Sequence, residues 1–206
     1  MALVTTDLMI SLDGCIAGPG ANRTDNPGGD GGGQLHDWIA GLASWRERQG
    51  MDGGSTGPDD DRIAAWFDAT GAVVMGRAMF DTGEAFWGDD PPFRCPVFIL
   101  THEDRPQEKK QGGTSYTFVT DGPASALAQA RVAAGDRNVD IAGGADVVQQ
   151  YLRLGAIDEI QLHVLPLLLG DGLRPFDDLG DARPILEQLE YAAGDGVTHL
   201  RYRVTR

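Results

Sequence analysis

The strand, turn and helix pattern of residues 138–154, NVDIAGGADVVQQYLRL, decides the fold. Residues 138–142 carry the apolar and β-branched side chains of a buried strand, and residues 146–154 have the apolar spacing of an amphipathic helix. The turn between them is Gly143-Gly144-Ala145, whose lack of large side chains lets main-chain amides come close to a ligand. A strand that passes through so short a turn into a helix predicts a parallel sheet of the α/β class.

Short apolar runs of similar character occur along the rest of the chain. They predict strands at residues 3–11, 72–75, 96–100, 115–119 and 159–164. Helices are predicted at about residues 35–48, 59–70 and 123–134. Residues 185–191 and 197–204 flank Gly194-Asp195-Gly196 and predict a C-terminal antiparallel hairpin. We therefore expect a mixed, mainly parallel β-sheet of about eight strands, flanked by helices.

A length of 206 residues suits one core, and we predict a single domain over residues 1–206. Residues 18–33 consist mostly of Gly, Asn, Asp and Pro, and a second glycine-rich segment ends at Pro58. Such residues favour turns and supply little apolar surface to bury. We expect a flexible insertion over about residues 18–58, which would form walls of a substrate site.

The net charge excludes several classes of partner. Seventeen Lys and Arg residues against 31 Asp and Glu residues give a net charge of −14, which disfavours nucleic acid and anionic membrane surfaces. No apolar run is long enough for a membrane span, and the first residues do not have the pattern of a signal peptide. We expect a cytoplasmic protein in which Cys15 and Cys95 are free thiols.

The four histidines have no metal-ligand spacing, so we predict no metal site.

Three small-residue turns follow predicted strands, and they contain Gly14, Gly76-Arg77 and Gly143-Gly144. Because the carboxyl ends of parallel strands meet at one edge of a sheet, these turns are expected to line a single crevice. Gly143-Gly144 also begins a helix, whose free amides suit a pyrophosphate, and Arg77 offers a fork of donors to phosphate. An ordinary tight turn or a capped helix is the alternative interpretation of each feature.

The segment after the predicted strand 96–100 carries Thr101, His102 and Arg105, which could hold a further phosphate. A solvated loop is the alternative interpretation. Residues 164–170 are too apolar to remain in contact with water. They form either a dimer interface or an internal core segment.

Five segments together resemble the dihydrofolate reductase superfamily. They are similar, more closely, to its branch shared with the riboflavin-biosynthesis reductase, the RibD C-terminal domain. The matching segments, in chain order, are SLDGCIAGP at 11–19, VMGR at 74–77, FILT at 98–101, IAGGA at 141–145, and residues 154–172. The resemblance implies a dihydrofolate-reductase-like mixed sheet, NADPH as the hydride donor, and a homodimer.

The resemblance also implies which residues would hold NADPH. Ile16 and Ala17 would contact the nicotinamide end, and Gly76 and Arg77 would meet the phosphates. Thr101, His102 and Arg105 would lie at the adenosine 2′-phosphate. The pyrophosphate would be held by the residues that open the helix after the paired glycines, namely Gly143, Gly144, Ala145, Asp146 and Val147.

Three positions depart from the pattern of these families. Cys15 stands where riboflavin-pathway reductases commonly have lysine, and Ala142 replaces an acidic residue before the paired glycines. Met79 replaces the threonine that is usual in folate enzymes. Asp13 and Asp37 are the candidate proton donors, because a carboxyl in an apolar pocket near Trp38 or Trp66 could keep a raised pKa. A proton delivered by water would need neither.

Two functions remain open from the sequence. The first is an NADPH-dependent reductase of a small heterocyclic substrate, similar to the pyrimidine reductase of riboflavin biosynthesis, 5-amino-6-(5-phosphoribosylamino)uracil reductase. The alternative is a non-catalytic dimer that binds a nucleotide or metabolite and retains the fold. The losses of polar groups at Cys15 and Ala142 permit the alternative.

Overall fold

One mixed sheet forms the centre of the computed structural model, which describes residues 2–205. Within those residues the sheet has nine strands. Their bounds are β1 Val4–Ser11, β2 Thr70–Gly76, β3 Pro96–Leu100, β4 Glu108–Lys109, β5 Ser115–Val119, β6 Asn138–Gly143, β7 Glu159–Leu165, β8 Ile185–Ala193 and β9 Thr198–Thr205.

The strand order is β4-β5-β3-β2-β6-β1-β7-β9-β8. The six strands from β5 to β7 in that order run parallel, whereas β4, β9 and β8 each pair antiparallel with a neighbour. The predicted mixed sheet with a C-terminal hairpin is therefore confirmed. The strand that was not predicted is β4, which has two residues and is too short to produce a sequence pattern.

Six α-helices lie within the described residues. Their bounds are α1 Asp37–Ala40, α2 Ala43–Arg48, α3 Pro58–Ala69, α4 Arg77–Trp87, α5 Pro123–Ala134 and α6 Ala145–Arg153. The sequence did not predict α4, because it begins directly at the end of β2 and the Gly76-Arg77 pair resembles a turn. In the part of the chain described here, no helix is both long and apolar enough to cross a bilayer.

The helix predicted at residues 35–48 is wrong as one element. It is divided into a 3-10 turn at Gly32–His36, then α1, then α2. The break occurs because Leu42 is extended and bridges Ser55, whose carbonyl accepts the N–H of Ala43 at 3.0 Å. Apolar spacing alone does not show such a break, since Leu42 is buried on the expected side.

The helices cover both faces of the sheet. On one face, α5 and α6 pack against Leu8, Val74 and Ile141. On the other face, α4 packs against Val73 and Met75, and the α1 to α3 segment packs against Met9. Alternate residues of one strand thus enter different cores, as the buried parallel strands require.

The glycine-rich segment after β1 is held by main-chain hydrogen bonds. Gly18 N–H donates to the Gly28 carbonyl at 2.8 Å, and Asp30 N–H donates to the Pro19 carbonyl at 2.9 Å. A methyl group on Gly18 would lie 2.0 Å from the Asp30 carbonyl oxygen, so the main chain at the two ends of this loop approaches closely. The flexibility expected for residues 18–58 stays a prediction.

The apolar run at residues 164–170 belongs mostly to the core. Leu165 is buried, and Leu167 and Leu169 pack with it against Leu35 and Val197. Leu168 alone among its leucines is highly exposed, at 74%. Of the two interpretations of this run, an internal core segment fits its burial better than a dimer interface.

Candidate coenzyme site

The parallel strands bring two of the glycine turns into contact. Met75 of β2 lies opposite Gly143 of β6, so Gly76 follows at the same edge. A Cβ atom on Gly76 would lie 3.7 Å from the Gly143 carbonyl oxygen and 3.9 Å from the Gly144 nitrogen. The turn that contains Gly14 follows β1, which is parallel to β6 and adjacent to it. The three turns therefore share the carboxyl edge of the sheet.

The main chain of Gly143 and Gly144 forms an open cradle at the start of α6. Gly143 has φ +118°, a conformation that L side chains rarely adopt. Gly144 has φ −70°, and a Cβ atom placed on it would have no atom within 4 Å. Bare main chain, free space and the positive end of a nine-residue helix together fit a diphosphate group.

The first turn of α6 also carries a negative charge. Asp146 is exposed, and its carboxylate accepts a hydrogen bond from Gln150 Nε2 at 2.6 Å. Ala145 and Val147 are buried, and a Cβ atom on Gly76 would meet Val147 Cγ2 at 2.8 Å. Val147 thus packs directly beneath the cradle, while Asp146 opposes an anion bound above it.

Arg77 is paired with two carboxylates. Its Nε donates to Asp81 Oδ1 at 2.5 Å, and its Nη1 donates to Glu103 Oε2 at 2.6 Å. Asp81 also accepts from Arg23 of the glycine-rich segment at 3.0 Å. Thr101 lies beside this group, with its hydroxyl oxygen 3.5 Å from Arg77 Nη1. The structure thus brings Arg77 and Thr101 together, and the charge of Arg77 is already offset by Asp81 and Glu103.

Arg105 is engaged by an aromatic ring and a carboxylate. Its guanidinium stacks over the Phe118 ring, 4.3 Å from the ring centroid, and pairs with Glu108 at 2.7 Å. His102 is exposed in the loop that follows β3. The role of Arg105 and His102 at a 2′-phosphate stays a prediction.

The residues expected at the nicotinamide end lie in a bridged segment after β1. Ile16 N–H donates to the Leu173 carbonyl at 2.9 Å, and Leu173 N–H donates to the Ala17 carbonyl at 3.0 Å. Cys15 is completely buried, so it does not line an open substrate site in this structure. Sequence reasoning missed Arg174, whose Nη1 donates to the Asp13 carbonyl and fixes the turn after β1. Arg174 lies outside the five segments that carry the family resemblance.

The structure gives no support to Asp13 as a proton donor. Its carboxylate accepts hydrogen bonds from the Ser11 hydroxyl at 2.5 Å and from the main-chain N–H groups of Leu169 and Gly170 at 3.2 and 2.7 Å. These bonds lower the pKa of Asp13 to about 2, the Ser11 bond most. The expectation of a raised pKa is wrong here, because Asp13 accepts hydrogen bonds and holds a loop.

Asp37 also lacks the environment that was expected. It is exposed at the first position of α1, and no apolar pocket surrounds it. The neighbouring Trp38 ring instead packs against His163 and His199, with centroids 4.9 and 5.5 Å away. The apolar pocket near Trp38 therefore contains histidines and no Asp37 carboxyl.

Four polar side chains missed by sequence reasoning form a buried chain under Trp38. Asp7 Oδ1 lies 2.9 Å from His163 Nε2, the two histidine Nδ1 atoms are 2.6 Å apart, and His199 Nε2 lies 3.1 Å from Asp59 Oδ1. Both histidines are buried, His163 completely. The available signal was that both histidines stand within predicted strands, where the register pairs them across β7 and β9.

Two neutral imidazoles do not supply a hydrogen atom to every contact of this chain. Each of its three contacts needs one hydrogen atom, and two neutral histidines supply two. Burial and the neighbouring His163 lower the pKa of His199, which opposes a third proton on the pair of rings.

Asp140 of β6 is a buried carboxyl beside Asp7. Its pKa is raised well above the ordinary value of 3.8, first by burial and then by the charge of Asp7. The folded protein therefore keeps a proton on Asp140 at pH values where the unfolded chain releases it. As a result, the contribution of Asp140 to stability falls as pH rises above about 4.

We predict that Asp140→Asn raises the free energy of unfolding relative to the parent chain, by an amount that grows between pH 4 and pH 7. In the parent chain, Asp140 releases its proton on unfolding, and this release lowers the free energy of unfolding as pH rises. The asparagine amide cannot ionise, so the variant lacks this loss of stability. Urea denaturation at each pH measures the difference. Asp136→Asn, at an exposed position, should give a difference that is almost constant with pH. A pH-independent effect of Asp140→Asn would contradict the assignment of a protonated carboxyl.

The described residues, 2–205, contain no group of three or more His, Cys, Asp or Glu side chains that could hold a metal ion. Both cysteines are free and buried.

Comparison with known proteins agrees with the fold. The family model named RibD C-terminal domain matches residues 2–200. The uncharacterized protein YwjB of Bacillus subtilis (strain 168) is 24% identical over 123 residues, which are 60% of this chain and 68% of that protein.

Two solved structures superpose over nearly the whole chain. A protein from Shewanella sp. PV-4 named for riboflavin biosynthesis has a TM-score of 0.67, 22% identity, and coverage of 99% of both chains. Dihydrofolate reductase from Enterococcus faecalis, solved with NADP(H), has a TM-score of 0.55 and 13% identity, and covers 99% of this chain and 97% of its own. With the family match over residues 2–200, this chain belongs to the RibD C-terminal domain family and has the fold of dihydrofolate reductase.

Proposed function

We propose that this protein is an NADPH-dependent reductase of a small heterocyclic substrate, similar to the pyrimidine reductase of riboflavin biosynthesis. The observation that carries the proposal is the meeting of Gly76 with Gly143 and Gly144 at the start of α6. Bare main chain at the carboxyl edge of a parallel sheet is suited to a dinucleotide. The family match and the NADP(H) complex of the Enterococcus relative support the choice of coenzyme.

Each part of the edge would have a separate task. Gly143, Gly144 and the first residues of α6 would hold the diphosphate, and Arg77 with Thr101 would face the adenosine half. Ile16 and Ala17, fixed by their bridge to Leu173, would contact the nicotinamide. When bound, NADPH supplies the hydride. The task of the chain is to align the acceptor bond with the nicotinamide face and to exclude water from that face.

The proton that accompanies the hydride would come from water. Asp13 is ionised at neutral pH and its oxygens accept three hydrogen bonds, and Asp37 is exposed. The nitrogen or oxygen atom that gains electrons on the substrate would therefore take its proton from a solvent molecule. Substitution of Asp13 by asparagine would then leave the pH dependence of turnover unchanged.

Titration of NADPH into the purified protein tests the proposal. Bound coenzyme should enhance nicotinamide fluorescence, and a panel of pyrimidines, pterins and quinones should then oxidise it. Absence of binding at millimolar coenzyme would exclude the reductase. Binding without oxidation by any heterocycle would favour the alternative, a non-catalytic nucleotide-binding protein. The pairing of Arg77 with Asp81 and Glu103 favours that alternative, since a bound phosphate would compete with these carboxylates for the guanidinium.

We further propose that the protein acts as a homodimer in the cytoplasm. Among residues 2–205, the outer strand β8 pairs with β9 alone and exposes Ile185, Leu186 and Tyr191 at 65%, 46% and 63%. Free strand edges with apolar side chains are commonly covered by another chain. Sedimentation at micromolar concentration should give a mass near twice 22.0 kDa, and a monomer at that concentration would exclude the dimer.

A further inference from the structure

We infer that Glu103 sets the coenzyme preference of this protein. Its carboxylate offsets the charge of Arg77, so NADPH and NADH bind with similar affinity. The inference rests on the proposed function, because it concerns the adenosine end of the same coenzyme site.

The sheet order places Glu103 at the adenosine end. From the cradle on β6, the strands β2 and β3 follow on the side away from β1. Neighbouring strands lie about 4.8 Å apart, so the end of β3 is ~10 Å from the cradle. If the nicotinamide lies toward the turn after β1, the adenosine ribose must lie toward Arg77 and the loop that begins at Thr101.

The charges at that end are balanced in the protein itself. Arg23 and Arg77 contribute two positive charges, and Asp81 and Glu103 contribute two negative ones through contacts of 2.5 to 3.0 Å. A 2′-phosphate bound here must displace a carboxylate from Arg77 or lie beside it. A ribose with a free 2′-hydroxyl meets no such cost, because a carboxylate can accept a hydrogen bond from it.

Glu103 is the carboxylate that controls access to Arg77. Its main-chain N–H donates to the Thr101 hydroxyl at 3.1 Å, which turns the loop toward Arg77. Its side chain is 70% exposed, whereas that of Asp81 is 21% exposed and bound by a second arginine. Removal of the Glu103 charge would leave the Asp81 pairs intact and free Arg77 Nη1 for a phosphate.

The test compares binding of the two coenzymes by fluorescence titration and by thermal shift. The parent protein should bind NADPH and NADH with dissociation constants within about threefold of each other. Glu103→Gln should tighten NADPH binding by about tenfold, because one charge next to the phosphate is removed at an exposed site. Binding of NADH should change by less than about twofold.

Asp104→Asn is the matched control, since it removes the same charge one residue away at an exposed position. It should change neither affinity by more than about twofold. A parent protein that prefers NADPH by about 30-fold or more, or an equal response to both substitutions, would overturn the role of Glu103 and leave the reductase intact. Failure of both coenzymes to bind would overturn the reductase and the role of Glu103 together.

Discussion

Replacement of His163 by alanine should lower the free energy of unfolding by about 3–5 kcal/mol. His163 is completely buried between Asp7 and His199, and the Asp7 side chain is only 7% exposed. The substitution leaves the Asp7 carboxylate buried with its imidazole partner removed, and it interrupts the chain that reaches Asp59. Loss of one member of a buried charged group costs more than loss of an exposed one, because the remaining charge keeps its desolvation penalty.

Urea denaturation at pH 7 measures this effect, with His102→Ala as the control at an exposed histidine. The control should change the free energy of unfolding by less than about 0.5 kcal/mol. Adding Asp7→Asn to His163→Ala should recover about 1–2 kcal/mol, because the unpartnered buried charge is removed. If His163→Ala costs less than about 1 kcal/mol, or if Asp7→Asn makes it worse, the chain does not carry a buried charge.

Nitrogen NMR of labelled imidazoles tests the charge of His199. Its pKa lies below the ordinary value of 6.5, because burial and the neighbouring His163 oppose its protonation. We therefore expect a neutral His199 ring at pH 7, and a protonated His199 ring at that pH would contradict this expectation.

The sequence predicted those parts of the fold whose signals are local. The turn at Gly143-Gly144 lies between a β-branched run and an amphipathic helix, and each piece is identifiable within about ten residues. The hairpin of β8 and β9 is equally local. In contrast, β4 has only two residues and leaves no pattern of its own. The helix α4 has an amphipathic pattern, but it begins without a loop after β2 and was not predicted.

The site was harder to predict, because its contacts join distant segments. Asp7, Asp59, His163 and His199 come together only through the pairing of β1 with β7 and of β7 with β9. Arg77 was predicted as a cation at the crevice, but its partners Asp81 and Glu103 were not predicted. Opposite charges are abundant in a chain with 31 acidic residues, and composition does not say which of them pair. The lowered pKa of Asp13 was missed for the same reason, because its hydrogen-bond donors at Leu169 and Gly170 come from a segment about 150 residues away in the chain.

Gly144→Ala should weaken NADPH binding by about 30-fold or more while the free energy of unfolding changes by less than about 1 kcal/mol. Gly144 has φ −70°, which alanine adopts readily, and its added Cβ would meet no protein atom within 4 Å. The free space above it is where the diphosphate must approach the main chain if this turn is the coenzyme site. A methyl group there would block the diphosphate without contacting any protein atom, so the packing of the folded chain would not change. Gly143 could not serve for this test, because its φ of +118° would strain any side chain.

Gly33→Ala is the matched control for this substitution. Gly33 also has an ordinary φ and free space around the position of a Cβ atom, but it lies in the glycine-rich segment before α1. It should change the dissociation constant of NADPH by less than about threefold. It should change the free energy of unfolding by less than about 1 kcal/mol. If Gly144→Ala binds NADPH within threefold of a parent protein that itself binds, the diphosphate lies elsewhere. The meeting of Gly76, Gly143 and Gly144 would then be close packing of β2 against β6, and the coenzyme would have to be held by side chains, with Arg77 the first to examine.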